Sequence, residues 1–370
     1  MTKRLVLAGG GHAHMEMLAN LREFVTKGCE VTVIGPSVHH YYSGMGPGML
    51  GKTYMPEEIR CATQQVVEKM GGRFVLGKVV KIDPEAQTVY LDSGDPVPYD
   101  LLSCNLGSQV PEKIITGDLE DIYLVKPIER LLAAQKRILE LGSQKEIAIG
   151  IVGGGPSSVE ISGNVWRLLQ EPGMQTANIK ILTSKTLIPH HPPGVRKRAL
   201  ASLAGRGIQI IENCDIGEIR TGSVTETSGK KHELEIIFVA VGVKPSSVFK
   251  RSGIPAGPDG GMLVNRHLQS VQYDNIFGGG DCIYFQDSPL DKVGVYAVRQ
   301  NPVIYHNLMA TLEGNELKTF SPGGQYLLIF NLGDGTGIFH KWRIHFGGPL
   351  AFKIKDYLDR KFMRDFQSIE

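Results

Sequence analysis

Two short apolar segments of this chain each lead into a glycine-rich turn and then into a segment with helical character. Residues 4–8 precede Gly-Gly-Gly-His-Ala-His at 9–14, and residues 147–152 precede Gly-Gly-Gly-Pro-Ser-Ser at 153–158. Glycine permits the tight turn and lets backbone N–H groups approach a pyrophosphate at the helix N-terminus, where the helix dipole attracts anions. One such loop is also compatible with a purely structural turn, whereas two copies predict two dinucleotide-binding units.

Both loops depart from the full nucleotide-binding pattern in two ways. The third glycine is replaced by His14 in the first loop and by Ser158 in the second. That glycine allows close packing of helix on strand, so each helix must sit slightly farther out or adjust locally. The acidic residue that would contact ribose hydroxyls is also absent after the second strands, at 30–34 and 179–183. The sequence therefore leaves open whether the ribose of a bound dinucleotide carries a 2′-phosphate.

A third glycine signature, Ile-Phe-Gly-Gly-Gly-Asp-Cys at 276–282, follows the second unit. Three signatures in this order suggest a flavin site and a second dinucleotide site. The chain regains strand character from 260 to 282, which is consistent with its return to the first domain. We predict an α/β fold with two Rossmann-like dinucleotide-binding domains, the second inserted in the first. The predicted boundaries are 1–118 and 255–323 for the first domain, 119–254 for the second, and 324–370 for a small C-terminal α+β region.

The composition is that of an ordinary folded enzyme. The 370 residues are 42% hydrophobic and 21% charged, with a formal net charge of +2. This near-neutral balance gives no reason to expect a nucleic-acid partner. No secretory signal and no apolar run of membrane-spanning length are visible, so we expect a cytoplasmic protein. Peripheral contact with the inner face of the membrane stays open.

The cysteines and paired histidines do not suggest a metal site. The five cysteines are scattered without a Cys-x-x-Cys motif, which favours reduced, mostly buried thiols. Adjacent histidines at 39–40 and 190–191 would point to opposite sides of an extended chain. We therefore predict no bound metal ion.

Two further segments lead to specific expectations. Residues 41–49 are too glycine-rich for a helix and too apolar for a solvated linker. In the tail, 349–366, Leu350, Ile354, Leu358 and Phe362 recur at helical spacing among basic side chains. This pattern favours a helix that docks on the first domain or pairs with a second subunit. The alternative is a basic amphipathic helix that lies on an anionic membrane.

The order and spacing of these motifs resemble the pyridine nucleotide-disulfide oxidoreductase superfamily. Within it, the chain is similar to type II NADH dehydrogenases and sulfide:quinone oxidoreductases. It is more similar to the FAD-dependent oxidoreductase module fused to selenide, water dikinase. That narrower similarity rests on the motifs at 9–14, 42–45, 125–128, 294–300 and 355–363.

The resemblance implies that FAD and NAD(P)H are the cofactors. Asp281 would accept a hydrogen bond from a ribityl hydroxyl, and Ser37 would replace the missing acid at the adenosine ribose. The catalytic candidates are Glu160, near the flavin–nicotinamide contact, and Lys126. The implied cofactor-binding residues are Gly9, Gly11, His12, Ala13, Ser37, Pro47, Gly153, Gly155, Ser157, Gly280, Asp281 and Ala297.

The implied activity is hydride transfer from NAD(P)H to flavin, followed by electron transfer to a quinone or another small acceptor. No cysteine pair stands at 42–49, so a dithiol relay is ruled out. Sulfide:quinone chemistry is a weaker alternative, because no cysteine lies between Cys104 and Cys214 or after Cys282. A second alternative is a flavoprotein with a degenerate nicotinamide site that acts in redox sensing or selenium metabolism. A homodimer is compatible with each alternative.

Overall fold

The computed structural model describes residues 2–370 and contains two five-stranded parallel sheets. The strands of the first sheet are apolar, as expected when helices cover both faces of a parallel sheet. Their spatial order is Ile276–Gly278, Leu101–Cys104, Lys3–Ala8, Cys29–Gly35 and Arg73–Leu76. All four pairings in this sheet are parallel.

The second sheet repeats this arrangement around the second glycine loop. Its strands are again paired in parallel throughout. Their spatial order is Ile122–Leu124, Ile236–Val239, Ile147–Val152, Ala177–Leu182 and Gln209–Ile211. Every strand of this sheet lies in sequence between Leu101–Cys104 and Ile276–Gly278, so the second unit is inserted in the first. The predicted α/β class is confirmed, and the domain boundaries stay predictions.

Helices follow the strands of both sheets and cover their faces. The α-helices are Met15–Ala19, Leu21–Thr26, Gly46–Leu50, Thr63–Lys69, Glu129–Gly142, Pro156–Leu168, Pro193–Ala204, Val248–Arg251, Gly294–Glu313 and Pro349–Gln367. Short 3₁₀ turns occupy His12–His14, Ser43–Met45, Pro56–Ile59 and Gly280–Cys282. The helix Gly294–Glu313 ends at Gly314, whose left-handed conformation terminates it.

Residues 2–370 also form three small antiparallel sheets. They comprise Val79–Asp83, Thr88–Leu91 and Pro96–Pro98; Ile216–Arg220, Ser223–Glu226 and Lys231–Glu233; and Leu328–Asn331, Gly337–Lys341 and Ile344–Gly348. Two-stranded pairs join His40–Tyr41 to Arg60–Cys61, Ser108–Gln109 to Lys244–Pro245, and Met262–Val264 to Ile283–Phe285.

The expectation that residues 41–49 form no helix is wrong. The chain makes a 3₁₀ turn at Ser43–Met45 and then the short helix Gly46–Leu50. Every residue of this helix is buried. Tertiary packing overrides the low helix propensity of glycine here. Residue 48 must be glycine, because a Cβ at this position would lie 2.5 Å from the ring of Tyr54. The segment packs with the hydrophobic core of the second unit.

The C-terminal helix, Pro349–Gln367, docks on the protein and contributes to both hydrophobic cores. Phe366 belongs to the core of the first unit and Met363 to that of the second. The buried face is shifted by one residue from the predicted stripe. Leu350 is 63% exposed and Leu358 is 42% exposed, whereas Lys355 and Asp359 are buried. The buried face contains the polar pair Lys355 and Asp359, so the spacing of apolar residues in the sequence does not reveal it.

Candidate functional site

The two glycine loops have the same backbone geometry. Gly9 donates its N–H to Ile34 O and Gly153 donates to Leu182 O, each at 2.8 Å. Both glycines have positive φ, +103° and +133°. A Cβ on Gly9 would lie 2.2 Å from the carbonyl oxygen of Asn105, and a Cβ on Gly153 would lie 2.2 Å from that of Ala240. Only glycine fits at these positions.

His14, which replaces the third glycine of the first loop, anchors that loop to the sheet. Its Nδ1 donates to Gly9 O at 2.5 Å, and its Nε2 lies 2.8 Å from Ser103 Oγ. Because a carbonyl oxygen can only accept, Nδ1 carries the proton and Nε2 accepts from the hydroxyl. Burial lowers the pKa of His14 to about 4, so the ring is neutral. The missing glycine is thus compensated by an imidazole that holds the loop from behind.

A cavity of about 440 Å³ opens at the carboxyl edge of the first sheet. It extends from the first loop, past the end of the second strand at 35–37, to the third glycine signature and the start of the helix Gly294–Glu313. A cleft at this edge, between the first two loops of an open parallel sheet, is where dinucleotides bind. The cavity lies within the size range of small-molecule and cofactor sites.

Asp281, Lys126 and Ser108 form a hydrogen-bonded group in the cavity wall. Ser108 Oγ donates to Asp281 Oδ2 at 2.6 Å, and Lys126 Nζ donates to the same oxygen at 2.8 Å. Burial would raise the pKa of Asp281, but the charge and hydrogen bond of Lys126, with the hydrogen bond of Ser108, hold it below its ordinary value. Asp281 is therefore a carboxylate with further acceptor capacity toward the cavity.

The helix Gly294–Glu313 begins at the cavity, which Gly294 and Ala297 line. Its Gln300 accepts a hydrogen bond from the N–H of Gly280 at 2.7 Å and so joins the helix to the third glycine signature. The positive end of the helix dipole lies at this end and favours negative charge in the cavity.

Unpartnered polar atoms in the cavity wall fit a polar, dinucleotide-sized ligand. Asn105 Nδ2 and Thr63 Oγ1 are buried and have no hydrogen-bond partner within the protein, and both residues line the cavity. Buried polar groups in proteins are rarely left unsatisfied. An amide donor and a hydroxyl beside glycines that lack Cβ atoms match the oxygens of a pyrophosphate and ribose. The residues present therefore fit FAD.

Two histidines line the cavity beneath the first loop. His12 Nδ1 and His40 Nε2 lie 3.3 Å apart, and the ring of His12 stacks on Phe362 of the C-terminal helix at 5.6 Å. Burial lowers the pKa of His12 to about 3, with a contribution from His40, and burial lowers that of His40 to about 4. Both rings are neutral hydrogen-bonding groups at physiological pH.

A second buried polar group connects the C-terminal helix to Tyr42 and Gly44, and Glu160 of the second-loop helix lies near enough for its charge to act on it. Lys355 Nζ donates to Asp359 Oδ2 and to Gly44 O, each at 2.9 Å, and the hydroxyl of Tyr42 donates to Asp359 Oδ1 at 3.1 Å. Glu160 Oε1 accepts from the N–H of Asn331 at 2.8 Å, and its charge acts on Lys355. Burial raises the pKa of Glu160, which Lys355 partly opposes.

The structure brings most of the predicted first-site residues around one cavity. Those lining it are Gly9, Gly11, His12, Ser37, Lys126, Gly280, Asp281 and Ala297. Ala13 is fully buried beneath Gly279, and Pro47 is buried in the short helix 46–50. The second loop residues Gly153, Gly155 and Ser157 lie outside this cavity, and Glu160 lies in the Lys355 group. The roles of all these residues stay predictions.

Sequence reasoning missed several groups at the two sites. Asn105 directly follows a strand of the first sheet, at the edge where ligands bind, so its position was a usable signal. Thr63 begins a helix and Ser108 begins a two-residue strand, and neither belongs to a sequence motif. Lys355 and Asp359 lie more than 300 residues from Tyr42 and Gly44 in sequence, and no local pattern connects such distant residues.

The fold and the site define a protein with two dinucleotide-binding units, the first of which forms a cavity at the carboxyl edge of its sheet. The chain belongs to the pyridine nucleotide-disulphide oxidoreductase family, whose sequence profile matches residues 3–307. The chain is accordingly an oxidoreductase, and the expected cofactors, FAD and NAD(P)H, are those of this family. The narrower similarity to the module fused to selenide, water dikinase stays a prediction.

Several known proteins resemble the chain over nearly its full length. Ferroptosis suppressor protein 1 of Taeniopygia guttata is 27% identical over 90% of this chain and 88% of its own. The type II NADH:quinone oxidoreductase of Staphylococcus epidermidis is 24% identical over 97% and 94%. The crystal structure of the sulfide:quinone oxidoreductase from Aquifex aeolicus superposes with a TM-score of 0.81 at 21% identity, covering 100% of this chain and 92% of that one.

No helix within residues 2–370 is both long enough and apolar enough to cross a bilayer.

Proposed function

We propose that this protein is an FAD-dependent NAD(P)H oxidoreductase that passes electrons to a quinone. The observation that carries the proposal is the cavity, because its polar wall fits FAD, and the second glycine loop has the same backbone geometry as the first. The type II NADH:quinone oxidoreductase that matches nearly the whole chain supports a quinone as acceptor. FAD, when bound, accepts a hydride from NAD(P)H and releases the electrons to the acceptor.

The residues of the first loop and the third signature would hold FAD. Backbone groups at Gly9 and Gly11, together with the amide of Asn105, would bind the pyrophosphate oxygens. Asp281 would accept from a ribityl hydroxyl, since Lys126 and Ser108 keep it ionised and oriented. The N-terminus of the helix at Gly294 would stabilise negative charge that develops on the ring system after reduction.

The second loop would hold the nicotinamide dinucleotide. A Cβ added to Gly155 would meet no atom within 4 Å, so the space above this residue is open, and exposed Ser157 stands in the first turn of the following helix. Helix N-termini of this kind bind pyrophosphate. We retain Gly153, Gly155 and Ser157 as the proposed contacts.

Glu160 and Lys355 would supply and conduct protons. Reduction of a quinone consumes two protons as well as two electrons, so a quinone reductase needs a proton source that is shielded from bulk water. Burial raises the pKa of Glu160, and the ammonium of Lys355 donates to Asp359, which also accepts from the hydroxyl of Tyr42. A carboxyl group whose pKa is raised by burial is suited to act as a proton donor.

The C-terminal region would contact the membrane. It exposes Trp342, Ile344, Leu350, Tyr357 and Leu358, and basic residues lie among them. Exposed apolar side chains beside Lys and Arg favour peripheral binding to anionic lipid. A cytoplasmic location and a homodimer stay predictions.

Anaerobic titration of the flavin-loaded protein with NADH and with NADPH tests the proposal. We expect at least one nucleotide to bleach the oxidised flavin band, and a short-chain benzoquinone to restore it. Absence of bleaching by both nucleotides would overturn the proposal and favour a flavoprotein with a degenerate nicotinamide site in redox sensing or selenium metabolism. Bleaching by sulfide alone would favour the sulfide:quinone alternative.

Replacing Lys126 by Met should make FAD retention sensitive to mild acid. Without the ammonium, burial raises the pKa of Asp281, and a protonated carboxyl is a poorer acceptor for a ribityl hydroxyl. The wild-type carboxyl has a depressed pKa, so its contribution is present at neutral pH and is lost only as the pH falls through that low value. Retained flavin absorbance after gel filtration across a pH series measures the shift.

Lys145→Met is the matched control, because it removes an exposed ion pair with Glu235 and should retain flavin as the wild type does. Equal pH profiles for the two variants would contradict the role of Lys126.

A further inference from the structure

One cluster of metal-binding side chains lies outside the cavity, at the side of the second unit. Among residues 2–370, Cys214, Glu226 and His232 offer sulfur, oxygen and nitrogen atoms that all lie within 4.8 Å of one another. Cys214 and His232 are buried, and Glu226 is partly exposed. No role in FAD or NAD(P)H binding accounts for the three together.

The local fold brings these residues together from two directions. In the hairpin of Ser223–Glu226 and Lys231–Glu233, His232 pairs with Val224. Glu226 lies two residues beyond Val224 and therefore on the same face of the sheet. Cys214 reaches that face from the edge of the parallel sheet, and its N–H donates to Thr183 O at 2.9 Å.

The donor set matches a borderline-soft divalent ion. Thiolate, imidazole and carboxylate are the three ligand types that zinc uses in proteins. A thiolate and a carboxylate balance two positive charges, and imidazole binds as a neutral ligand. Ser228 Oγ donates to Glu226 Oε2 at 3.0 Å and leaves Oε1 directed toward His232. Such an outer contact orients a ligating carboxylate.

Only small shifts separate the present positions from a coordinated geometry. His232 Nε2 and Glu226 Oε1 lie 2.8 Å apart in a hydrogen bond. Around a tetrahedral zinc, bond lengths near 2.0–2.3 Å place ligand atoms about 3.3–3.8 Å apart. The pair must open by roughly half an ångström while Cys214 moves in. Lys230 Nζ, 3.7 Å from Glu226, is exposed and can turn into solvent.

We propose that Cys214, Glu226 and His232 bind a zinc-class divalent ion, with water in the fourth position. The Cys214 thiol loses its proton as the sulfur–metal bond forms, and His232, whose Nε2–H bonds Glu226 in the free site, takes its Nδ1–H tautomer so that Nε2 can bind the ion. Each ion bound therefore releases one proton, and no redox change occurs. The ion fastens the hairpin to Cys214. Thr183, the backbone partner of Cys214, packs on Gly154 of the second loop, where a Cβ would lie 2.1 Å from its hydroxyl. The site is therefore placed to steady that loop.

Cobalt titration of chelator-treated protein tests this site without any turnover. We expect one equivalent of Co²⁺ to produce a thiolate-to-cobalt absorption band, to release one proton in weak buffer, and to be displaced by Zn²⁺. Cys214→Ser should abolish the band, and His232→Gln should weaken binding. Cys61→Ser, at another buried thiol, should leave the band intact. Absence of the band in wild type, or its persistence in Cys214→Ser, would overturn the proposal, and neither result bears on NAD(P)H oxidation.

Discussion

Gly9→Ala should yield protein that is almost free of flavin. Gly9 has φ of +103°, and the new Cβ would lie 2.2 Å from Asn105 O, a backbone atom that cannot move away. The left-handed conformation alone costs about 1–3 kcal/mol for a residue other than glycine. The remaining clash must displace the loop or the residue that follows the neighbouring strand, and both line the cavity. The ratio of flavin to protein absorbance after purification measures the effect.

Two matched variants separate cofactor loss from general strain. Gly28 also has positive φ, +83°, but a Cβ there meets nothing within 4 Å, so Gly28→Ala should lower thermal stability slightly and keep its flavin. Gly153→Ala reproduces the 2.2 Å clash in the second loop, against Ala240 O. It should retain flavin and lose reduction by NAD(P)H. Full flavin occupancy in Gly9→Ala, or flavin loss confined to Gly153→Ala, would contradict the assignment of the two loops.

The parallel sheets and their glycine loops could be predicted because their signals are local. An apolar strand, a turn that needs positive φ and a following helix lie within about twenty consecutive residues. The apolar segment at 147–152 agrees with the strand Ile147–Val152. The order of the three glycine signatures then implied the insertion of one unit in the other.

The parts that escaped prediction depend on contacts between distant residues. His14 stands where glycine was expected, and its role is visible only when Ser103 lies behind the loop. The helix at Gly46–Leu50 forms because Tyr54 and the second core surround it, against its own propensity. The metal candidates Cys214, Glu226 and His232 have no motif spacing, since a hairpin and a sheet edge bring them together.

The C-terminal helix shows how a polar contact can set the docking of an otherwise amphipathic element. Apolar spacing pointed to Leu350 and Leu358, yet the buried face of the helix contains Lys355 and Asp359, which are 8% and 7% exposed. Burying two charges is costly unless each has its partner. Here Asp359 receives hydrogen bonds from Lys355 and Tyr42, and Lys355 also reaches Gly44 O. The pair therefore selects the rotation of the helix that lets these bonds form.

Lys355→Met should consequently destabilise the protein by about 3–5 kcal/mol, since Asp359 would remain as a buried carboxylate without its counter-charge. Asp359→Leu combined with Lys355→Met should recover most of that loss, because two apolar side chains replace the pair. As a control, Lys353→Met on the exposed face of the helix should change the free energy of unfolding by less than about 0.5 kcal/mol. Urea midpoints of flavin-loaded proteins measure these differences.

The stability loss in Lys355→Met should depend on pH. Burial raises the pKa of Asp359, and the loss of Lys355 raises it further, so acidification should protonate the carboxyl and reduce the stability loss. A deficit that is independent of pH, or a double variant no more stable than the single one, would mean that Lys355 acts by packing alone.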